Sequence, residues 1–138
     1  MFNKMFSNID LMQRGMDAAW MRQDVISHNI ANNDTPGFKA QHVEFESMLQ
    51  SALTGEGATL QGAVTHKKHI PFGGSPDPSQ VRPVTLTDYH YEIRMDENNV
   101  DVDHQMAEMA ANYVRYSAFQ TQVTGAFSRL KTVIREGK

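Results

Sequence analysis

From Val102 to Ile134 the chain runs without a proline, and hydrophobic side chains recur at alternating steps of four and three residues. The line is Val102, Met106, Met109, Tyr113, Tyr116, Gln120, Val123, Phe127, Leu130 and Ile134, with nine of its ten members hydrophobic. Against a background of 40% hydrophobic residues, with seven frames to choose from, chance gives such a match about once in a hundred tries. Asp101 and Asp103 stand where an N-cap belongs, and Arg129, Lys131 and Arg135 crowd the far end, matching the helix dipole. The spacing predicts one helix from Asp103 to Ile134, about 48 Å long at ~1.5 Å per residue.

The N-terminal third repeats the spacing through Ile9, Met12, Met16, Ala19, Gln23, Ile26 and Ile30, and Thr35-Pro36-Gly37 stops it. Both lines read as narrow seams of period ~3.5, and each carries one Gln that can fix register between helices. Helices with such seams need a partner, because most helix stability comes from packing. The expected fold is therefore mainly α. Long N- and C-terminal heptad helices pair as a coiled coil, with each other or with those of neighbouring subunits, and a small irregular, β-containing insert lies between them.

That gives three segments: an N-terminal helix over 1–33, a middle segment over 34–102 and a C-terminal helix over 103–138. The middle holds all five prolines and six of the nine glycines. It reads as a signature turn, a short helix over Glu44–Leu53, loops at Thr54–Ala58 and Phe72–Ser79, and a strand or hairpin arm from Val84 to Arg94. Formal charge is uneven: zero over 1–33, −5 over 34–102 and +2 over 103–138, for −3 in all. With no clustered basic face, nucleic acid is not an expected partner. The chain has no cysteine, so disulfides and thiolate chemistry are excluded. Nine methionines suit faces that pack against partners.

Catalysis finds little support. His66 and His69 flank Lys67 and Lys68 with no third ligand nearby, so no metal site is expected. No serine sits in a nucleophile elbow, and no glycine loop precedes a helix with the Lys-Ser or Lys-Thr of a phosphate site. Glu44 and Glu46, alternating with Val43 and Phe45, point together to water. No enzyme, cofactor or small-molecule substrate is expected. Trp20, one place off the seam, covers the core or a neighbour. Gly15 and Gly125 cost helix stability, about 0.5–1 kcal/mol each relative to Ala, and with Ala111, Ala118 and Ala126 would permit close subunit contact.

The most specific stretch is Ser27-His28-Asn29-Ile30-Ala31-Asn32-Asn33-Asp34-Thr35-Pro36-Gly37-Phe38-Lys39-Ala40. Asn29, Asn32 and Asn33 tolerate the left-handed conformation and can cap open carbonyls, Pro36-Gly37 forces a turn, and Phe38 can fold back to anchor the exit. The string from Asn29 through Ala31 to Phe38 resembles the signature of the flagellar rod and hook axial proteins. A second match, Asn98-Asn99-Val100-Asp101-Val102-Asp103 followed by Met106-Ala107-Glu108-Met109-Ala110, is similar to the C-terminal signature of the proximal-rod members. Together the matches fall on the two ends, which make up roughly half the chain.

The resemblance implies a structural subunit that polymerises through its end helices and transmits torque from the inner-membrane ring to the distal rod and hook. It implies as partners other rod subunits, copies of the chain itself, the adaptor joining rod to inner-membrane ring, and the flagellar type III export apparatus. It also implies a basal-body location in the periplasm. Met1–Asp10 lacks a basic region followed by an apolar stretch, so no cleaved signal is expected, and no stretch approaches the ~18 apolar residues of a membrane span. Composition alone would suggest the cytoplasm; the resemblance reverses that.

Overall fold

In the computed structural model, residues 2–54, 77–89 and 95–136 are described, the side chains of 2–5 and 136 excepted. The order is α1 (Phe2–Ala31), β1 (Gln41–Glu44), α2 (Glu46–Thr54), a 3-10 turn (Pro78–Gln80), β2 (Val84–Thr87) and α3 (Val102–Glu136). The chain is thus mainly helical, with long helices at its two ends and a small two-stranded sheet from the segment between them, as its periodicity required. The loops expected at Thr54–Ala58 and Phe72–Ser79 fall almost wholly outside the described residues, as do His66 and His69.

Each helix end has a local cause. The Asp101 carboxylate accepts the His104 N–H at 3.2 Å, and the Asp101 carbonyl accepts the Gln105 N–H at 2.9 Å, so Asp101 is the N-cap of α3 and Asp103 lies in its first turn. At the end of α1 the Asn32 N–H is shared between the carbonyls of His28 and Asn29, and its side chain returns to His28 O at 2.9 Å. Thr35-Pro36-Gly37-Phe38 then closes a turn through Phe38 N–H to Thr35 O at 3.2 Å. Pro36 presets the first central position and Gly37, at φ +71°, takes the left-handed second one, which is the residue pattern of a type II turn. Asn29, Asn32 and Asn33 do not enter the left-handed region; the other positive φ among the described residues is Glu97, at +65°. Phe38 does fold back, its ring edge-on to His28 with centroids 5.4 Å apart.

The chain divides into two compact units. The first comprises residues 1–43 and 85–138, and holds α1, α3 and most of the sheet. The partner of β2 is β1, reached through α2, where an adjacent hairpin arm was expected. The Asp88 N–H donates to Ala40 O at 2.9 Å, joining the exit of β2 to the entry of β1, so the two strands run in opposite directions. Residues 90–94 lie outside the described residues. The second unit, Glu44–Val84, contributes α2 and the 3-10 turn, which pack together. Among its described residues the buried apolar ones are Phe45, Ala52 and Val81, and Asp77 caps the turn by accepting Ser79 N–H at 2.8 Å.

Candidate assembly surface

Helices α1 and α3 lie antiparallel along each other, in a register readable from four contacts. Asn29 donates to Gln105 Oε1 at 3.0 Å. Asn112 Nδ2 donates to Ala19 O at 2.8 Å and to Gln23 Oε1 at 3.2 Å. Gly15 sits under the ring of Phe119, so closely that an added Cβ would lie 2.8 Å from Cζ. A glycine is required there because the two backbones approach to the thickness of one aromatic ring. On α1 the buried positions are Gly15, Ala18, Ala19, Arg22, Val25, Ile26 and Asn29. This face is wider than a single heptad line, since it spans the expected seam and the line one residue before it.

Three asparagines, Asn29, Asn98 and Asn112, are the largest side chains with under 2% of their surface exposed. Buried amides need partners, and each finds them in a different segment. Asn29 pairs with Gln41 as a strand residue would, donating to its carbonyl at 2.7 Å and accepting its N–H at 3.0 Å. Asn98 Nδ2 donates to the carbonyls of Asn32, Asn33 and Thr35 at 2.9–3.0 Å, while its Oδ1 accepts Val100 N–H at 2.7 Å. These are the open carbonyls that follow a helix C-terminus. Asn99 adds two more ties, accepting Ala40 N–H at 2.6 Å and donating to Asp88 O at 2.9 Å. Gly37 N–H donates to Asp96 O at 2.8 Å, and Lys39 Nζ to Glu97 O at 2.7 Å. The two motifs, remote in sequence, are therefore one clasp.

The positions of the expected site residues follow from this register. In the signature turn Asn29 is buried, Asn32, Asn33 and Phe38 are half-buried, and Ala31, Asp34, Thr35, Pro36 and Gly37 are exposed. On α1, Ala19 and Ile26 are buried, while Ile9, Met12, Met16, Gln23 and Ile30 are half-buried. On α3 the expected seam splits. Val102, Met109, Tyr116, Val123 and Leu130 are half-buried, whereas Met106, Tyr113, Gln120, Phe127 and Ile134 stand exposed. The line that α3 turns to α1 includes Gln105, Asn112, Phe119 and Ala126, which the best-scoring hydrophobic frame leaves out. Because two of these are polar, their frame scores poorly; Asn98 was visible only as part of the second motif.

The exposed half of the seam borders two open grooves. The larger, about 810 Å³, is lined by Ala19, Trp20, Met106, Met109, Tyr113 and Tyr116 among others. The other, about 590 Å³, is lined by Phe6, Phe127, Leu130, Ile134, Lys131 and Arg135. Trp20 is 71% exposed, Tyr113 71% and Ile134 72%. Single exposed apolar side chains are ordinary, whereas these four, Met106, Tyr113, Phe127 and Ile134, recur along one helix. Among the described residues no cluster of three or more His, Cys, Asp or Glu could hold a metal, and no helix is long and apolar enough to cross a membrane.

A family model described as "Flagella basal body rod protein" matches residues 9–39, most of α1 and the signature turn. The flagellar basal body rod protein FlgB of Bacillus subtilis is 36% identical over 130 residues, covering 94% of this chain and 95% of that protein. The protein of that name from Borrelia hermsii is 33% identical over 129 residues, covering 93% and 96%. The Escherichia coli K12 protein is 28% identical over 140 residues, covering 99% of each. The chain belongs to the FlgB family of flagellar basal-body rod proteins, and is a structural component of the basal body and not an enzyme.

Proposed function

We propose that the chain is a subunit of the proximal rod, polymerising through the outward faces of its end helices and transmitting torque from the inner-membrane ring to the distal rod and hook. The observation that carries this is the split seam. α3 spends half of its apolar line on α1 and leaves Met106, Tyr113, Phe127 and Ile134 exposed on a long, regular surface. Burying such side chains on a neighbour contributes about 1.5–3 kcal/mol each, and a shaft under torque needs many such contacts in parallel.

Its partners in this reading are other rod subunits, copies of itself and the adaptor that joins the rod to the inner-membrane ring. It works in the periplasm, delivered by the flagellar type III apparatus without a cleaved signal peptide. The absence of cysteine suits that route, since no crosslink must be undone before threading. Quantitative mass spectrometry of purified hook–basal-body particles tests the proposal. A fixed ratio to the other rod subunits is expected. Absence from intact particles would overturn it in favour of an adaptor or export partner that never enters the rod.

A further inference from the structure

The two grooves differ in charge as well as position. Residues 95–110 contain Asp96, Glu97, Asp101, Asp103 and Glu108 and no Lys or Arg, while residues 111–135 contain Arg115, Arg129, Lys131 and Arg135 and no Asp or Glu. Of these, Glu97, Asp101, Asp103 and all four bases are exposed. The charges suit the dipole of α3 itself, but the dipole gives no reason for Met106, Tyr113, Phe127 and Ile134 to be left exposed between them. The groove at the C-terminal end of α3 is thus lined by two bases, Lys131 and Arg135, ahead of the terminal Glu136, while the exposed acids Glu97, Asp101 and Asp103 precede Met106 at the other end.

We infer that the two ends are complementary halves of one contact between copies of this chain. The groove of Phe127, Leu130 and Ile134, rimmed by Lys131 and Arg135, receives the Met106–Tyr113 stretch of the next copy with its acidic flank. This rests on the reading of the chain as a rod subunit and names which of its faces meet. A two-fold contact between like ends would set base against base or acid against acid, which complementarity disfavours. The head-to-tail contact is heterologous and leaves one unused half at each end of a row of copies, so it adds further copies until the row closes into a ring or continues as a helix. Asp103 and Lys131 are separated by roughly 42 Å along α3, at ~1.5 Å per residue, which bounds the offset between successive copies.

The lack of native cysteine permits a direct test. Tyr113→Cys and Ile134→Cys are introduced into separate full-length chains of distinguishable mass, mixed, and oxidised mildly. The mixed 113–134 disulfide is expected above its statistical share. It should fall about fivefold to tenfold when the Ile134→Cys chain also carries Lys131→Glu and Arg135→Glu. It should return when the Tyr113→Cys chain carries Asp103→Lys and Glu108→Lys. A statistical mixture, an excess of 113–113 or 134–134 product, or no rescue by the charge swap overturns the inference. Incorporation into basal bodies is scored on the same variants. Chains that lose the mixed disulfide yet enter particles at the normal ratio overturn this contact and leave the rod reading standing. A wild-type chain absent from particles fails the rod reading whatever the crosslink shows.

Discussion

Replacing Asn98 tests the clasp at its centre. In Asn98→Ala the carbonyls of Asn32, Asn33 and Thr35 lose their shared donor and Val100 N–H loses its acceptor. An amide has two N–H bonds to give, so about three net hydrogen bonds disappear. At about 0.5–1.5 kcal/mol each, with some replacement by water at the exposed Thr35, the loss is about 2–4 kcal/mol. That is a large part of an ordinary stability of about 5–15 kcal/mol. Urea unfolding of the full chain followed by far-UV circular dichroism reads it as a lower midpoint at unchanged slope. Asn98→Asp is sharper, because the shape is kept while a donor facing three carbonyls becomes an acceptor. Burial and those oxygens favour the neutral acid, so the folded-state pKa of the new carboxyl rises above its unfolded value. The folded state then holds its proton more tightly. The extra penalty over Ala is full at about pH 7 and shrinks as pH falls through the raised pKa toward about pH 4. A control at exposed Ser128→Ala should move stability by less than about 0.5 kcal/mol. An Asn98→Ala change that small, or an Asn98→Asp no worse than Ala at neutral pH, would refute the reasoning.

Gly15→Ala and Gly125→Ala should act in opposite directions on thermal stability. At Gly15 the methyl meets Phe119 at 2.8 Å and overpacking of about 1–3 kcal/mol outweighs the helix gain; Phe119→Leu in the same chain should recover most of it. At Gly125 the nearest atom is the flexible tip of Arg129 at 3.6 Å, so Ala should stabilise the monomer by about 0.5–1 kcal/mol, whereas a bulkier Gly125→Leu should reduce basal-body incorporation. The double change Gln23→Leu with Asn112→Leu removes a buried Oδ1 that accepts no hydrogen bond among the described residues. Denaturation should find it equal to or more stable than the parent, and a loss above about 2 kcal/mol would contradict that. Glu97→Gly relieves a left-handed backbone at φ +65° and should raise stability by about 1 kcal/mol; a fall would show that the Glu97 side chain matters more than its backbone.

Much of the fold was legible because helix periodicity, the Asp101 cap and the Pro36-Gly37 turn are local signals. What was not legible is which face of α3 turns inward. Hydrophobic counting selected the line through Met106, Tyr113 and Phe127, the richer in apolar residues. The inward face instead includes Gln105 and Asn112, whose amides are satisfied only by groups on α1, so a scale that penalises buried polar residues ranks it lower. On α1 the buried positions outside the expected seam are Gly15, Ala18, Arg22, Val25 and Asn29, the first two small because α3 comes close. The same logic explains why Asn29 read as a cap: nothing near it in sequence reveals that its amide is answered by Gln41 and Gln105. The candidate surface was seen through its richest line, and the structure divides that line between half-buried and exposed positions.

The clasp also has a consequence in time. Its bonds join Asn98 to Asn32, Asn29 to Gln105 and Ala19 to Asn112, at separations of 66, 76 and 93 residues. A chain that emerges from any narrow conduit with its N-terminus leading delivers α1 first and everything that covers α1 last. Until Asn98 is through, the open carbonyls after α1 have only water to answer them. Until Asn112 is through, the Gly15–Asn29 face has nothing to lie on. Such long-range closure is slow to nucleate, so the leading segment stays loose while the rest follows. The α1–α3 pair acts as a buckle that fastens only after the whole strap has been drawn through.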